Sequence, residues 1–362
     1  MKVIDIIAGA RPNFIKIAPI IKSIEKRKKS SDFQIDYRLV HTGQHYDKKM
    51  SGDFFTQLGI PVPDINLNVG SGTQAQQTAA IMVSYEELLL KEPSNLCLVV
   101  GDVNSTAACA IAAQKLCIPV AHVEAGIRAG DWSMPEEINR ILTDSITNYF
   151  FTTSSYANEN LKKLGVNNKD IFFVGNTMID TLLANIDNLR PPAFMLDKKN
   201  NEYFILTLHR PGNVDDINNL ETLINAIGEA SRGLEVIFPV HPRTLKSIES
   251  IKKIPKNFNF IDPLPYLEFN YLVKGSKAVI TDSGGITEEA TVMNVPCLTL
   301  RDSTERPETV SVGTNVLVGT NPNNIKPVLD KLFDNNWKEG GIPELWDGKT
   351  SDRIIDILEG II

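Results

Sequence analysis

Four short stretches carry titratable side chains in settings where proton transfer can occur. They are Gly101-Asp102, His122-Val123-Glu124-Ala125-Gly126, Pro135-Glu136 and His209-Arg210, and three of them stand where an apolar run ends. Carboxylates gathered in one place repel one another, which raises some pKa values toward neutrality and suits acid/base work. Asp102, Glu124 and Glu136, with His209, are therefore the acid/base candidates. Plainer roles compete for most of these positions. Asp102 has the spacing to cap a helix at Ser105, Glu136 can pair with Arg140 at i,i+4, and His122 reads as a packed core histidine. Glu124 is harder to explain away, because a charge at the end of an apolar strand needs a partner.

A second chemistry concerns anions. Asp282-Ser283-Gly284-Gly285-Ile286-Thr287-Glu288-Glu289 follows an apolar run and opens a helical pattern. Glycines let a phosphate approach the backbone, and a helix N-terminus offers free N–H donors and positive potential. Glu289, one turn in, can accept from ribose hydroxyls; the plain alternative is an Asp/Ser cap with a glycine turn. Arg301–Glu308 follows the next run and can deliver Arg306 to the same place. Gly9, Arg11 and Lys16 form a similar unit near the N-terminus, with Pro12 at a first helical position and Pro19 expected to kink the helix. A solvated Arg and Lys is the plain reading of that unit.

These groups need a scaffold that collects strand ends. Apolar runs at Val3–Ala8, Tyr37–His41, Leu96–Val100, Pro119–Val123 and Tyr149–Thr152 alternate with helical patterns such as Ser105–Lys115. The second half repeats this with Tyr203–Leu208, Glu235–Val240, Phe258–Ile261, Ala278–Thr281 and Cys297–Leu300, and a helical stretch at Asn218–Ser231. Continuous apolar strands separated by helices mean parallel sheets covered on both faces. The expected fold class is α/β, with two doubly wound Rossmann-like domains facing a central cleft. The Pro-Pro and Lys/Asn-rich segment from Asn188 to Asn201 divides them. Domains are expected at 1–190 and 200–348, with a C-terminal helix at 349–362 returning to the first. All five histidines stand at strand ends, where doubly wound sheets bind ligands.

Composition narrows the function. The 362 residues suit two domains, and a net charge of −7 argues against nucleic acid as a partner. The N-terminal apolar run is too short for a signal peptide and no stretch reaches the length of a membrane span, so a cytoplasmic protein without membrane attachment is expected. Cys97, Cys109, Cys117 and Cys297 read as reduced, buried thiols. No GxGxxG follows the first strand, no Walker A loop occurs and no zinc-like spacing appears, so neither metal nor cofactor is expected.

Taken in order, the motifs resemble those of the non-hydrolysing UDP-N-acetylglucosamine 2-epimerases. Gly9-Ala10-Arg11-Pro12, Gly101-Asp102, His122–Arg128, Pro135–Arg140, Gly175-Asn176-Thr177, His209-Arg210, Thr281–Glu289 and Arg301–Glu308 carry the resemblance across residues 1 to 330. It implies a glycosyltransferase-B-like fold and interconversion of UDP-GlcNAc and UDP-ManNAc, by anti elimination of UDP to 2-acetamidoglucal and re-addition. It implies acid/base roles for Asp102, Glu124 and Glu136, and places His209 near the diphosphate and leaving oxygen. Arg11, Lys16, Ser283, Gly284 and Gly285 would hold the diphosphate, Glu289 the ribose, and Arg306 would assist; Phe269 matches the position that packs on uracil. A homodimer and a role in surface polysaccharide precursor synthesis are implied as well.

The chain departs from the family pattern at three places. Asn13 follows the Arg-Pro pair in place of Glu, Tyr46 stands in place of Arg after Gln44-His45, and Pro211-Gly212-Asn213 follows His209-Arg210. The latter two regions contribute to the family's allosteric UDP-GlcNAc site, so allosteric activation is in question. A related substrate such as a UDP-2,3-diacetamido-uronic acid remains open. So do a GT-B glycosyltransferase, a hydrolysing epimerase and a non-catalytic UDP-sugar sensor.

Overall fold

In a computed structural model, residues 1–43, 57–195, 202–240, 242–251 and 253–362 are described. They form two compact units, 1–184 with 344–362, and 185–343.

The first unit is a seven-stranded parallel sheet in the order β3-β2-β1-β4-β5-β6-β7. Its strands are β1 (Lys2–Ala8), β2 (Ile35–His41), β3 (Ile65–Asn66), β4 (Leu96–Val100), β5 (Val120–Val123), β6 (Tyr149–Thr152) and β7 (Ile171–Phe173). The helices used below are α1 (Arg11–Arg27), α2 (Gln74–Lys91), α3 (Asn104–Lys115), α4 (Pro135–Ser145), α5 (Ser155–Lys163) and α6 (Thr177–Asn185). Every residue of β4 is buried, as a central strand covered on both faces requires. Ile7, Val40, Ile81, Tyr85, Val99 and Val120 share one core on one side of the sheet. α2 opens with a capping box: Gln76 N–H donates to Thr73 Oγ1 (3.3 Å) and Thr73 N–H to Gln76 Oε1 (3.1 Å).

The second unit is a six-stranded parallel sheet, β10-β9-β8-β11-β12-β13. Its strands are β8 (Tyr203–Thr207), β9 (Glu235–Pro239), β10 (Phe258–Ile261), β11 (Ala278–Thr281), β12 (Cys297–Thr299) and β13 (Asn315–Leu317). α7 (Ile217–Ala230), α8 (Tyr266–Gly275), α9 (Gly284–Val292) and α10 (Ile325–Phe333) are its main helices. Leu206, Ile224, Phe238, Ile280 and Leu329 belong to its largest core. Each sheet reverses its strand order once, between β1 and β4 and between β8 and β11. Ligands of such sheets bind at the carboxyl ends of the strands beside that reversal.

The last helix, α11 (Thr350–Ile361), packs on α1 within the first unit. Arg27 bonds Asp356 (2.6 Å) and Glu359 (2.8 Å), Ser23 donates to Asp352, and the buried Asp180 accepts from the N–H groups of Thr350 and Ser351.

Two points of the sequence reading change. The strands β3, β7 and β13 are absent from the sequence reading, because two or three residues are too few to show a period. Pro19 lies inside α1, in the helix where the sequence reading placed it. A proline there strips the Ile15 carbonyl of its helical donor, and the Thr181 hydroxyl supplies one at 2.6 Å. Cys97, Cys109 and Cys297 are buried, but Cys117 is exposed. It sits just past α3 in a left-handed turn (φ 59°), outside the core that its apolar neighbours suggested.

Candidate active site

At the reversal of the first sheet, Asn13 joins the two strand ends. Its carboxamide oxygen accepts from the N–H groups of Gly9 (3.2 Å) and Ala10 (2.9 Å), and its amide donates to the Val100 carbonyl (3.0 Å). The residue that departs from the family pattern is thus a buried brace. One turn further on, Lys16 reaches Glu124, with Nζ 2.8 Å from Oε2 and both side chains at most 10% exposed. This is the partner that the position of Glu124 demanded. Glu124 itself is left-handed (φ 70°), directly after β5. Gly101 is also at positive φ (65°), a conformation that favours glycine, and lies close against the Lys16 ammonium, where a Cβ would come 2.9 Å from Nζ.

Asp102 does not cap α3. Its Oδ2 accepts from Arg140 at 2.6 Å, and Asn139 holds its carbonyl at 2.9 Å. Nor does Glu136 pair with Arg140; the neighbouring Glu137 does, with Nε 2.9 Å from Oε2. Glu137 faces inward and is buried, whereas Glu136 is exposed in the first turn of α4. Burial alone would raise the Glu137 carboxyl. The N–H groups of Ala129 and Gly130, with Arg140, hold it below the usual carboxylate range. So Lys16, Gly101 and Glu124 come together, Asp102 joins Arg140 and Glu137, and Glu136 stands on the surface. His122 is wholly buried within β5, as the packed reading expected.

At the reversal of the second sheet, Asp282 collects donors. It accepts from the backbone of His209 and Arg210, from Asn213 Nδ2 (3.0 Å) and from His209 Nδ1 (2.7 Å). Burial would raise this carboxyl, but His209, Asn213 and the Arg210 N–H hold it low. The His209 ring is 57% exposed, with Nε2 as its remaining nitrogen. The sequence reading offered Asp282 only as an Asp/Ser cap of the following helix; in the structure it binds the His209–Asn213 segment instead.

Ser283, Gly284 and Gly285 are half-buried at the start of α9, and the Ser283 side chain makes no capping bond. Glu305 lies against Gly284, where a Cβ would come 2.5 Å from its Oε1. Arg301 (2.6 Å) and Arg210 (3.8 Å) flank Glu305 and keep its buried carboxyl depressed. Arg306 is turned onto the buried Glu288, Nε to Oε1 2.7 Å. Glu289 is buried too, and accepts from Tyr266 Oη (2.8 Å) and Asn270 Nδ2 (3.4 Å). Burial outweighs those two bonds and raises its carboxyl to about 7. Phe269 is half-buried on α8. The side chains of Arg11 and Arg243 lie outside the described residues, as do His45, Tyr46 and His241.

The family model for UDP-N-acetylglucosamine 2-epimerase matches residues 27–359. The chain belongs to that family. The epimerase is 42% identical over 372 residues to the UDP-N-acetylglucosamine 2-epimerase of Methanocaldococcus jannaschii, covering 98% of each chain. A crystal structure of that relative in complex with UDP-GlcNAc and UDP superposes with a TM-score of 0.87 at 41% identity, covering 99% of this chain and 100% of that one. The UDP-2,3-diacetamido-2,3-dideoxy-D-glucuronate 2-epimerase of Pseudomonas aeruginosa is also 42% identical, over 322 residues and 88% of each chain. A lipopolysaccharide outer core galactosyltransferase shares the fold alone, with a TM-score of 0.57 at 13% identity over 100% of both chains. Among the described residues of the epimerase, no helix is long and apolar enough to cross a membrane.

Proposed function

We propose that the chain is a non-hydrolysing epimerase that interconverts UDP-GlcNAc and UDP-ManNAc. The observation that carries this reading is Glu124: a buried carboxylate, held left-handed at a strand end and bonded to Lys16. The sugar C2–H is weakly acidic. Its removal needs a positioned base, its return needs an acid, and the departing UDP needs stabilisation. Glu124, Asp102 and Glu136 are the acid/base groups in this proposal. His209, oriented through Nδ1 by Asp282, offers Nε2 to the leaving oxygen. Ser283, Gly284 and Gly285, at the start of α9, receive the diphosphate with Arg11, Lys16 and Arg306. Glu289 binds the ribose and Phe269 packs on uracil.

The chemistry is elimination of UDP to 2-acetamidoglucal, then re-addition after reprotonation on the opposite face. A UDP-2,3-diacetamido-uronic acid is the second reading, favoured by the similarity to the Pseudomonas aeruginosa enzyme. The same proposal puts the chain in the cytoplasm as a homodimer, feeding surface polysaccharide synthesis; sedimentation at two concentrations tests the dimer. Incubation with each UDP-sugar, with and without an acceptor, tests the reaction. The epimer of UDP-GlcNAc should appear without acceptor. Sugar transfer that requires one points to a glycosyltransferase, and turnover of the uronic acid alone selects the second reading.

A further inference from the structure

Beneath Glu124 lies a buried group that none of the proposed chemistry uses. The His122 ring is wholly buried and has two bonds, Nδ1 to Asp144 Oδ1 and Nε2 to the carbonyl oxygen of Gly101, each at 2.8 Å. A carbonyl oxygen only accepts, so Nε2 must carry a proton. The Nδ1 partner is a carboxylate that also accepts from the Gly126 N–H (3.0 Å) and from Arg128 (2.7 Å). Its surroundings favour the ionised form, because the Gly126 N–H and the Arg128 guanidinium both donate to it independently of His122. An ionised Asp144 leaves the Nδ1 proton on the ring as well.

We infer that His122 is an imidazolium and that Asp144 is a positioning residue for Glu124. The geometry explains what the pair does. Asp144 grips the chain at His122 and at Gly126, two residues before and two residues after Glu124, and so holds Glu124 in its left-handed conformation. The N–H groups of Glu124 and Ala125 both go to the Phe151 carbonyl, at 3.0 and 3.1 Å, and further along the same loop Glu137 of α4 accepts from Ala129 and Gly130, so Asp144 is the α4 group that bonds on both sides of Glu124. Through Nε2 the same ring grips Gly101, the residue before Asp102. One buried ion pair therefore joins the strand ends that carry two of the acid/base candidates. The charged groups about it are Asp144 from α4, Arg128 from the loop after β5 and, across Gly101, the Lys16–Glu124 pair.

The protonation claim stands apart from the proposed reaction, while the positioning claim rests on it. For the first, the unmodified chain is labelled with 15N-histidine and its ring nitrogens are followed by NMR, with His122 assigned by its loss in H122Q. Both nitrogens should be protonated at the pH of the kinetic assays, as two acceptors facing the ring require. One unprotonated nitrogen at that pH overturns the imidazolium; should H122Q fail to fold, the four other histidines are assigned by their own Gln variants and His122 by elimination. For the second, D144N should lower kcat on the order of 10–100-fold with KM changed only a few-fold, because it loosens a catalytic loop without touching substrate. An unchanged kcat, or a loss confined to KM, overturns the positioning role. Failure of the epimerase reading is distinguishable, since the unmodified chain would then show no epimer at all.

Discussion

Glu124 is fixed twice over, by its backbone and by Lys16, and a group fixed in that way suits a base that must meet one C–H bond. E124Q keeps the size of the side chain and removes its basicity. Turnover should fall on the order of 10²–10⁴-fold while UDP affinity, read by calorimetry, changes little; retained turnover contradicts the assignment. Glu289 makes a different prediction. Its carboxyl is raised to about 7 from an ordinary 4.5, so between those values the folded chain keeps a proton that the unfolded chain has lost. Stability therefore falls as pH rises through that window and stays lower above it. E289Q should melt higher than the parent at pH 8, by on the order of 2–3 kcal/mol, and the two should converge near pH 4.5. Parallel melting curves across that range would contradict the shift. The strand-end positions of Asp102, Glu124 and His209 were legible in the sequence, because apolar runs stop just before them. Which of Glu136 and Glu137 pairs with Arg140 was not, because neighbouring helical residues point about 100° apart and only the packed structure decides which faces inward.

At the scale of elements, the most local patterns read best. Strands such as Leu96–Val100 and Ala278–Thr281 are recognisable because burial on both faces leaves them continuously apolar. Pro19 shows where local reading ends. The sequence marks a helix interrupted by proline, but the donor that rescues the Ile15 carbonyl comes from Thr181, 166 residues away. T181V should leave that carbonyl without its donor and destabilise the chain by about 1–3 kcal/mol in chemical denaturation. Adding P19A restores a helical N–H to Ile15 and should recover much of the loss. Equal costs for T181V with and without P19A would show that the carbonyl is satisfied some other way.

For the whole molecule, the net charge of −7 looks unpromising for an anionic ligand, yet much of the acidic excess is internal. Glu124, Glu137, Asp144, Asp282, Glu288, Glu289 and Glu305 are buried or nearly so, most of them beside cations or N–H donors. Glu137, Asp144, Asp282 and Glu305 are depressed in the folded chain. The stability they contribute is present above the ordinary carboxylate range and lost as pH falls through their lower folded values. Acid titration followed by circular dichroism should therefore show cooperative unfolding below about pH 4, at a lower pH than isolated carboxylates titrate. Gradual loss of structure between pH 5 and 6 would contradict it.

The central claim is that the sugar C2–H is removed and replaced from solvent. Proton NMR of the chain with UDP-GlcNAc in D2O, without acceptor, tests it most directly. UDP-ManNAc should accumulate with deuterium at C2, and recovered UDP-GlcNAc should acquire it as well. An epimer that retains its original C2 proton, or no epimer at all, would contradict the account.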